Sequence, residues 1–463
     1  NKGDFTFAVA ADGTLTVTDT ATQEGADVVS GVEILRFADG DLTVTTTEEG
    51  AVTLTGTNAD DIISLVGSEA AALVGADGDD ELTGADGADS IDGGSGDDTL
   101  KGGKGDDTID GSTGDDSVYG EEGADTIDGG AGADIIDGGL DADIITAGAG
   151  DDLVGGSGGV DQITGGAGDD VIDGGGEADY IIGGAGDDTI EGGEGQDIVE
   201  FTGNKSDFTF AVDPAGTLTV TDTTTMEGTD VISGVETLRF ADGDLTVTTT
   251  EQGAVTLTGT VDDVITLVGP GAATLEGVAG DDFLSGGDGA DAIDGGLGDD
   301  MIIGGAGDDT ITAAEGDDTV YGSAGDDTIT GDAGFDYIDG GTGDDTIAAG
   351  DDDDTVYGGE GADDIAGNAG DDFIDGGAGD DLIAGGEGDD IIDGGTGKDT
   401  ILAGDGDDLI HDNRGSDVID GGAGDQDTVR YQGQAGSFTF SLGPGGSLNV
   451  IHSEIDAVDF LST

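Results

Sequence analysis

Two stretches of this 463-residue chain can be read without a gap in nine-residue steps, Gly75 to Glu200 in fourteen and Gly277 to Asp420 in sixteen. Written as GGxGxDxUx, position six is Asp and position eight is Val, Ile or Leu in all thirty steps. Position four is Gly except at Asp141, Glu177 and Asp352, and position three is free, as Ser95, Lys104, Thr113, Glu122 and Ala131 show. A short period held this long demands an architecture in which each unit packs only on its neighbours. Three residues, xUx, suffice for a short strand with one aliphatic side chain inward, and six, GGxGxD, for a wide turn. Two nonamers then close one 18-residue coil. Coils stacked at ~4.8 Å give a flattened solenoid, seven of them spanning roughly 34 Å and eight roughly 38 Å.

The core of such a coil is thin. The chain has 99 glycines and no Trp, and its Phe and Tyr together number 19. Nine Lys and Arg face 108 Asp and Glu, a formal charge of −99, which by itself predicts disorder. The same charge excludes nucleic acid as a partner and disfavours anionic membrane surfaces. The stabilisation that is missing has to be electrostatic. Asp at position six recurs on one edge once per coil, stacking carboxylates about 5 Å apart in a column that repels itself when empty. Calcium takes six to eight oxygen ligands and tolerates mixed carboxylates and carbonyls, which a glycine turn closing over an Asp provides; magnesium, needing a tight octahedron, fits less well. Zinc is excluded by the absence of Cys and by the isolation of His411 and His452.

A second repeat is superimposed on the first. Residues 1–56 recur almost unchanged as 204–259, offset by 203, and an abbreviated third copy starts near Gly436. Alternating segments such as FTFAV, GTLTVTD and VEILRF, separated by turn signals, read as antiparallel β-hairpins, and ten of the thirteen Phe lie outside the nonamer blocks. The expected order is a β cap (1–55), a roll (56–203), a cap (204–258), a roll (259–433) and a short C-terminal cap (434–463). Asn1 stands where Asn204 does, directly after a block's end, which leads us to expect further units upstream. The extra residue in the run Gly421 to Val429 suggests that the second roll ends there. No apolar run is long enough to span a bilayer.

The GGxGxDxUx run resembles the RTX, or haemolysin-type, calcium-binding repeat of secreted bacterial proteins, over about 270 residues by our reading of the sequence. The resemblance implies an all-β chain of calcium-stabilised parallel β-rolls between small antiparallel caps. It also implies that turn residues of neighbouring coils hold each ion. The matching metal ligands, together with glycine carbonyls, are Asp80, Asp89, Asp98, Asp107, Asp116, Asp125, Asp134, Asp143, Asp152, Asp161, Asp170, Asp179, Asp188 and Asp197 in the first block. In the second they are Asp282, Asp291, Asp300, Asp309, Asp318, Asp327, Asp336, Asp345, Asp354, Asp363, Asp372, Asp381, Asp390, Asp399, Asp408 and Asp417. Position five, often Asp as well (Asp97, Asp106, Asp115, Asp169), reads as a solvated neighbour. The departures at Asp141, Glu177 and Asp352 leave the turn geometry there open.

Other readings fare worse. There is no EF-hand loop, no fixed Thr ladder for ice binding, and no Lys-Ser/Thr or helix that would make GGAGDD a phosphate loop. Tyr119, Tyr180, Tyr321, Tyr337 and Tyr357, at positions seven or nine, read as scattered surface residues, and His411 is given no role. No HExxH or GxSxG motif is present, and catalytic residues are not assigned. The terminal SEIDAVDFLST resembles the short uncleaved signals of type I exporters, or is the last strand of the short cap. The expectation is a secreted, non-enzymatic structural protein at or beyond the cell surface, folding on calcium and self-associating into a fibre, surface layer or adhesin stalk. The alternative is the export and folding region of a larger secreted protease, lipase or epimerase.

Overall fold

A nonamer folds as half a coil because two of its nine positions face inward. The computed structural model describes the chain except residues 22–24, 48–50, 214, 225–226, 251–253, 413, 425, 432–437, 443–447, 453–457 and 463. A typical strand, Thr108–Thr113, has six residues, from position seven of one nonamer to position three of the next. It is twice the expected length and leaves positions four to six for the corner. The reason is its burial pattern: Ile109, at position eight, and Gly111, at position one, both face inward, so the strand continues past the aliphatic side chain. All thirty position-eight side chains are at most 3% exposed. Strands pair in parallel with those one coil away, Ile109 lying opposite Ile91 and Ile127.

The chain forms two compact units, residues 1–203 with 219–241 and residues 204–218 with 242–463. The first opens with antiparallel pairs, Phe5–Val9 on Leu15–Asp19 and Leu15–Asp19 on Ala26–Val29. Ile34–Phe37, Gly40–Thr46 and Val52–Thr55 follow as an antiparallel meander. The last of these pairs in parallel with Ala72–Asp77, so the hairpin's final strand is also the ladder's first rung. At the far end Thr229–Ser233 and Thr237–Phe240 add two parallel rungs, on Thr189–Glu194 and Ile198–Glu200. The segment read as a hairpin cap thereby prolongs both sheets.

In the second unit Gly243–Thr249 pairs antiparallel with Val255–Thr258, which opens the parallel ladder on Ala273–Ala279. The ladder runs on beyond the Gly421 to Val429 irregularity, since Thr428–Tyr431 pairs in parallel with Leu409–Asp412. Phe438–Leu442 and Leu448–His452 form the third hairpin. Val458–Ser462 pairs with Leu448–His452 and with Val418–Asp420. The tail read as an export signal therefore includes a strand, while 453–457 and 463 lie outside the described residues.

Position four shows what the corner requires. At Gly361 φ is +154°, and a Cβ there would drive into the Gly343 carbonyl oxygen of the previous coil. The three non-glycine residues turn the corner in the left-handed region instead, with φ of 75° at Asp141, 77° at Glu177 and 78° at Asp352. The change has a local cost. The inter-coil bond donated by the preceding position-four N–H is 3.3 Å at Gly123 and Gly159 and 3.4 Å at Gly334, against 2.8 to 2.9 Å at Gly114, Gly132 and Gly150. Asp352→Gly should relieve about 0.5–1 kcal/mol of strain, slowing amide exchange in its coil about threefold in calcium. Gly361→Ala should open its coil, both read by hydrogen-exchange mass spectrometry.

Candidate metal centre

The thirty position-six aspartates form two buried columns in each unit, one along each edge of the roll. Every one is at most 3% exposed. Every one also accepts a hydrogen bond from the coil before it: the N–H of Asp80 donates to Asp98 Oδ1 (2.7 Å), that of Asp98 to Asp116 Oδ1 (2.7 Å) and that of Asp116 to Asp134 Oδ1 (2.8 Å). The other edge runs alike through Asp89, Asp107 and Asp125, and in the second unit Asp327 donates to Asp345 Oδ1 (2.8 Å). The second oxygen is different. In twenty-seven of the thirty, Oδ2 is buried with no hydrogen-bond partner.

That oxygen has carbonyls beside it. A Cβ on Gly102, at position one, would collide with Asp107 Oδ2 and lie 2.8 Å from the carbonyl oxygen of Gly120 in the next coil. The same convergence is found at Gly340, with Asp345 Oδ2 and the Gly358 carbonyl. Among the described residues no three metal-binding side chains meet at one point. Each coil offers one carboxylate per edge, so the remaining ligands of an ion would be backbone carbonyls. A cradle of acceptors without donors suits a hard, oxygen-loving cation.

Burial pushes these carboxyls up, against the pull of the backbone N–H bond and with the like charges of neighbouring coils adding to the rise. Asp107, Asp116, Asp345 and Asp390 reach about 7, and Asp80, Asp125 and Asp372 about 6. A proton can serve the orphaned oxygen by letting it donate to a carbonyl. Between the unfolded carboxyl value near 3.8 and these raised values, the folded chain binds more protons than the unfolded one. Stability without metal is therefore present at low pH and lost as pH rises through 6 to 7. In chelator, circular dichroism should show β structure growing as pH falls from 8 toward 4.5, and calcium affinity should weaken over the same interval.

Position five is exposed yet engaged. Asp79 Oδ1 accepts the N–H of Asp97 (3.0 Å) and Asp97 Oδ1 that of Asp115 (3.0 Å), so this carboxylate ladder reaches forward while position six reaches back. The tyrosines are less scattered than their spacing suggested. Tyr321, Tyr337, Tyr357 and Phe373 form one continuous aromatic row, with ring centroids 5.8, 5.6 and 5.8 Å apart. Positions nine and seven of successive coils are neighbours across a pleat, which a count along the chain does not reveal.

The columns extend beyond the nonamers to residues that the sequence reading missed. Asp61 donates its N–H to Asp80 Oδ1 (2.6 Å) and Asp263 to Asp282 Oδ1 (2.5 Å). At the far end of the first unit Asp230 and Glu236 accept from Asp188 and Asp197 (both 2.9 Å), with burial pushing Asp230 up to about 8. The signal was there: Gly56–Ser64 carries Asp61 at position six and Ile63 at position eight, lacking only glycines two and four. Asp61 and Asp263 each meet a cation from the chain itself. Lys2, fully buried, pairs with Asp61, and Lys205, fully buried, with Asp263 Oδ1 (2.6 Å). The loop between Thr260 and Asp263 is one residue shorter than that between Thr57 and Asp61, yet the pair is kept. Lys205→Met would strand the Asp263 charge at a cost of about 3–5 kcal/mol. Its chemical-unfolding midpoint in chelator at pH 5 should fall, and Asp263→Asn added to it should recover most of the loss.

A family model matches these repeats. The RTX calcium-binding nonapeptide repeat is found at residues 74–109, 92–127, 101–136, 128–163 and 164–199, and again at 268–302, 295–329, 303–338, 330–365, 357–392, 366–401 and 393–425, more than half of the chain. The chain belongs to the RTX calcium-binding repeat family. RTX repeats bind calcium, and the orphaned oxygens and flanking carbonyls of these columns fit such an ion. Solved structures that match include the crystal structure of the extracellular lipase LipA from Serratia marcescens, 17% identical, covering 69% of this chain and 37% of that one with a TM-score of 0.13. The chain spans well under half the length of that protein. No curated protein matches.

Proposed function

We propose that this RTX chain is a non-enzymatic extracellular structural module. It is exported unfolded, becomes stiff where calcium is plentiful, and forms part of a bacterial surface fibre, surface layer or adhesin stalk. The observation that carries this reading is the set of twenty-seven buried carboxylate oxygens without a partner, set in a core one aliphatic side chain thick. Bound calcium would supply the positive charge these oxygens lack. The position-six aspartates and position-one carbonyls would hold it, while the inward Ile, Leu and Val exclude water from the space between the sheets. Without a counter-charge the columns repel along their length, and a chain of −99 stays expanded, the state suited to passage through a type I exporter.

The near-identical recurrence of residues 1–56 as 204–259, each ahead of its own nonamer block, supports a structural over a catalytic role, because stiffness and length gain from repetition while an active site does not. The position-six carboxylates are engaged in inter-coil bonds, which gives them a structural task in every coil. Calcium modules outside cells bind with Kd of about 10⁻⁴ to 10⁻³ M, so folding should follow the step from cytosolic to external calcium. Circular dichroism at pH 7.5 should show little β structure in excess chelator and a strong β signal at millimolar calcium. Electron micrographs at millimolar calcium should show elongated assemblies. A β signal that is already complete in chelator would overturn the calcium-coupled reading, and compact single particles in calcium would overturn the fibre reading.

A further inference from the structure

The two copies of the same antiparallel segment differ in what covers them. In the later copy Ile232, Val235, Leu238 and Phe240 are at most 5% exposed. They are covered by the last coil of the first roll, with Ile232 opposite Ile190 and Leu238 opposite Val199. Asp230 and Glu236 receive the N–H groups of Asp188 and Asp197, the free donors at the roll's end. The link is short: Phe201 stacks on Phe240 (5.4 Å, 12°), and the N–H of Ala241 donates to the Gly203 carbonyl (2.7 Å).

In the earlier copy the counterparts, 203 positions upstream, are Asp27, Val29, Val32, Glu33, Leu35 and Phe37. The strands are already formed there, Ala26–Val29 on Leu15–Asp19 and Ile34–Phe37 on Gly40–Thr46. Gly31 and Gly234 turn alike, with φ of 65° and 61°. Cover is what differs. Val29, Leu35 and Phe37 are only half-buried and Val32 is 37% exposed, and Asp27 and Glu33 are exposed too. This is a sheet edge that combines apolar side chains with two carboxylate acceptors, a combination that elsewhere in the chain has one occupant.

We infer that Ala26–Phe37 is a docking edge for the last coil of an RTX roll joined ahead of Asn1, held as the coil 188–200 is held by Thr229–Phe240. The inference rests on the structural reading above only in needing a calcium-folded roll. Chemistry selects the occupant. Asp27 and Glu33 need N–H donors, and a roll's open end presents them at position six together with an unpaired aliphatic rung. A second hairpin cap would instead set carboxylate against carboxylate. Such an edge left open invites strand pairing, which the roll's two final strands would satisfy.

The test compares the full chain with an extended chain in which residues 56–203 are repeated directly ahead of Asn1, both in millimolar calcium and followed by hydrogen-exchange mass spectrometry. In the full chain 229–240 should be protected and 26–37 should exchange fast. In the extended chain 26–37 should slow by at least about tenfold, toward the rate of 229–240. Leu35→Asp in the extended chain should restore fast exchange at 26–37 and leave 229–240 unchanged. Equal exchange of 26–37 in the two chains, or no protection of 229–240 in either, would overturn the docking inference. Failure of calcium to raise the β signal of the same samples would count instead against calcium-coupled folding.

Discussion

A buried carboxylate on each edge of every coil, with one oxygen bonded to the coil before and the other, in twenty-seven of thirty, bonded to nothing, is the interaction on which this structure turns. An unpaired acceptor in a dry interior costs free energy each time it occurs, and here it occurs in twenty-seven of the thirty nonamers. The aliphatic ladders cannot offset that cost alone, because each nonamer buries one Ile, Leu or Val and otherwise lines its interior with glycine or, at Ala147, Ala313, Ala349 and Ala403, alanine. The same arrangement explains the glycine at position one. Its missing side chain is the space in which the carboxylate oxygen of its own nonamer and a carbonyl of the next coil converge.

A column needs ends, and each unit begins one in the same way. Where the nonamers start, a lysine from the first turn of the cap takes the place of a bound cation and pairs with the column's outermost aspartate. Gly40 and Gly243, at φ of 142° and 137°, bring the backbone close against the two ammonium groups, where a Cβ would crowd them. At the far end of the first roll the sequence leaves the nonamer pattern, yet Asp230 and Glu236 continue the acceptor role. The caps therefore supply charge and hydrogen-bond partners to the columns as well as covering apolar ends.

Much of this was legible in the residues. A period of nine with Asp and an aliphatic residue in fixed phase specified the parallel coil, its inward ladder and its thirty acidic positions, since register follows directly from spacing. The length of the strand was not legible, because glycine at position one gives no hydropathy signal although it faces inward beside Ile or Val. Asp61 and Asp263 were hidden because their turns dispense with the glycines that define the repeat, and their lysine partners are 59 and 58 residues away in sequence. The row Tyr321, Tyr337, Tyr357 and Phe373 was hidden for a related reason. Adjacency across a pleat joins positions seven and nine of successive coils, a relation that exists only once the coils are stacked. The three non-glycine corners, at Asp141, Glu177 and Asp352, kept the column intact by entering the left-handed region at the expense of one lengthened bond each.

The central claim is that the orphaned Oδ2 atoms of position six are the calcium ligands. Anomalous diffraction from crystals grown in calcium tests it most directly, because it locates the ions without reference to folding. The account requires ion peaks in lines along both edges of each roll, each about 2.3–2.6 Å from a position-six Oδ2 and with carbonyl oxygens completing the shell. Peaks bound instead at the exposed position-five carboxylates, with the position-six oxygens still unpartnered, would contradict it.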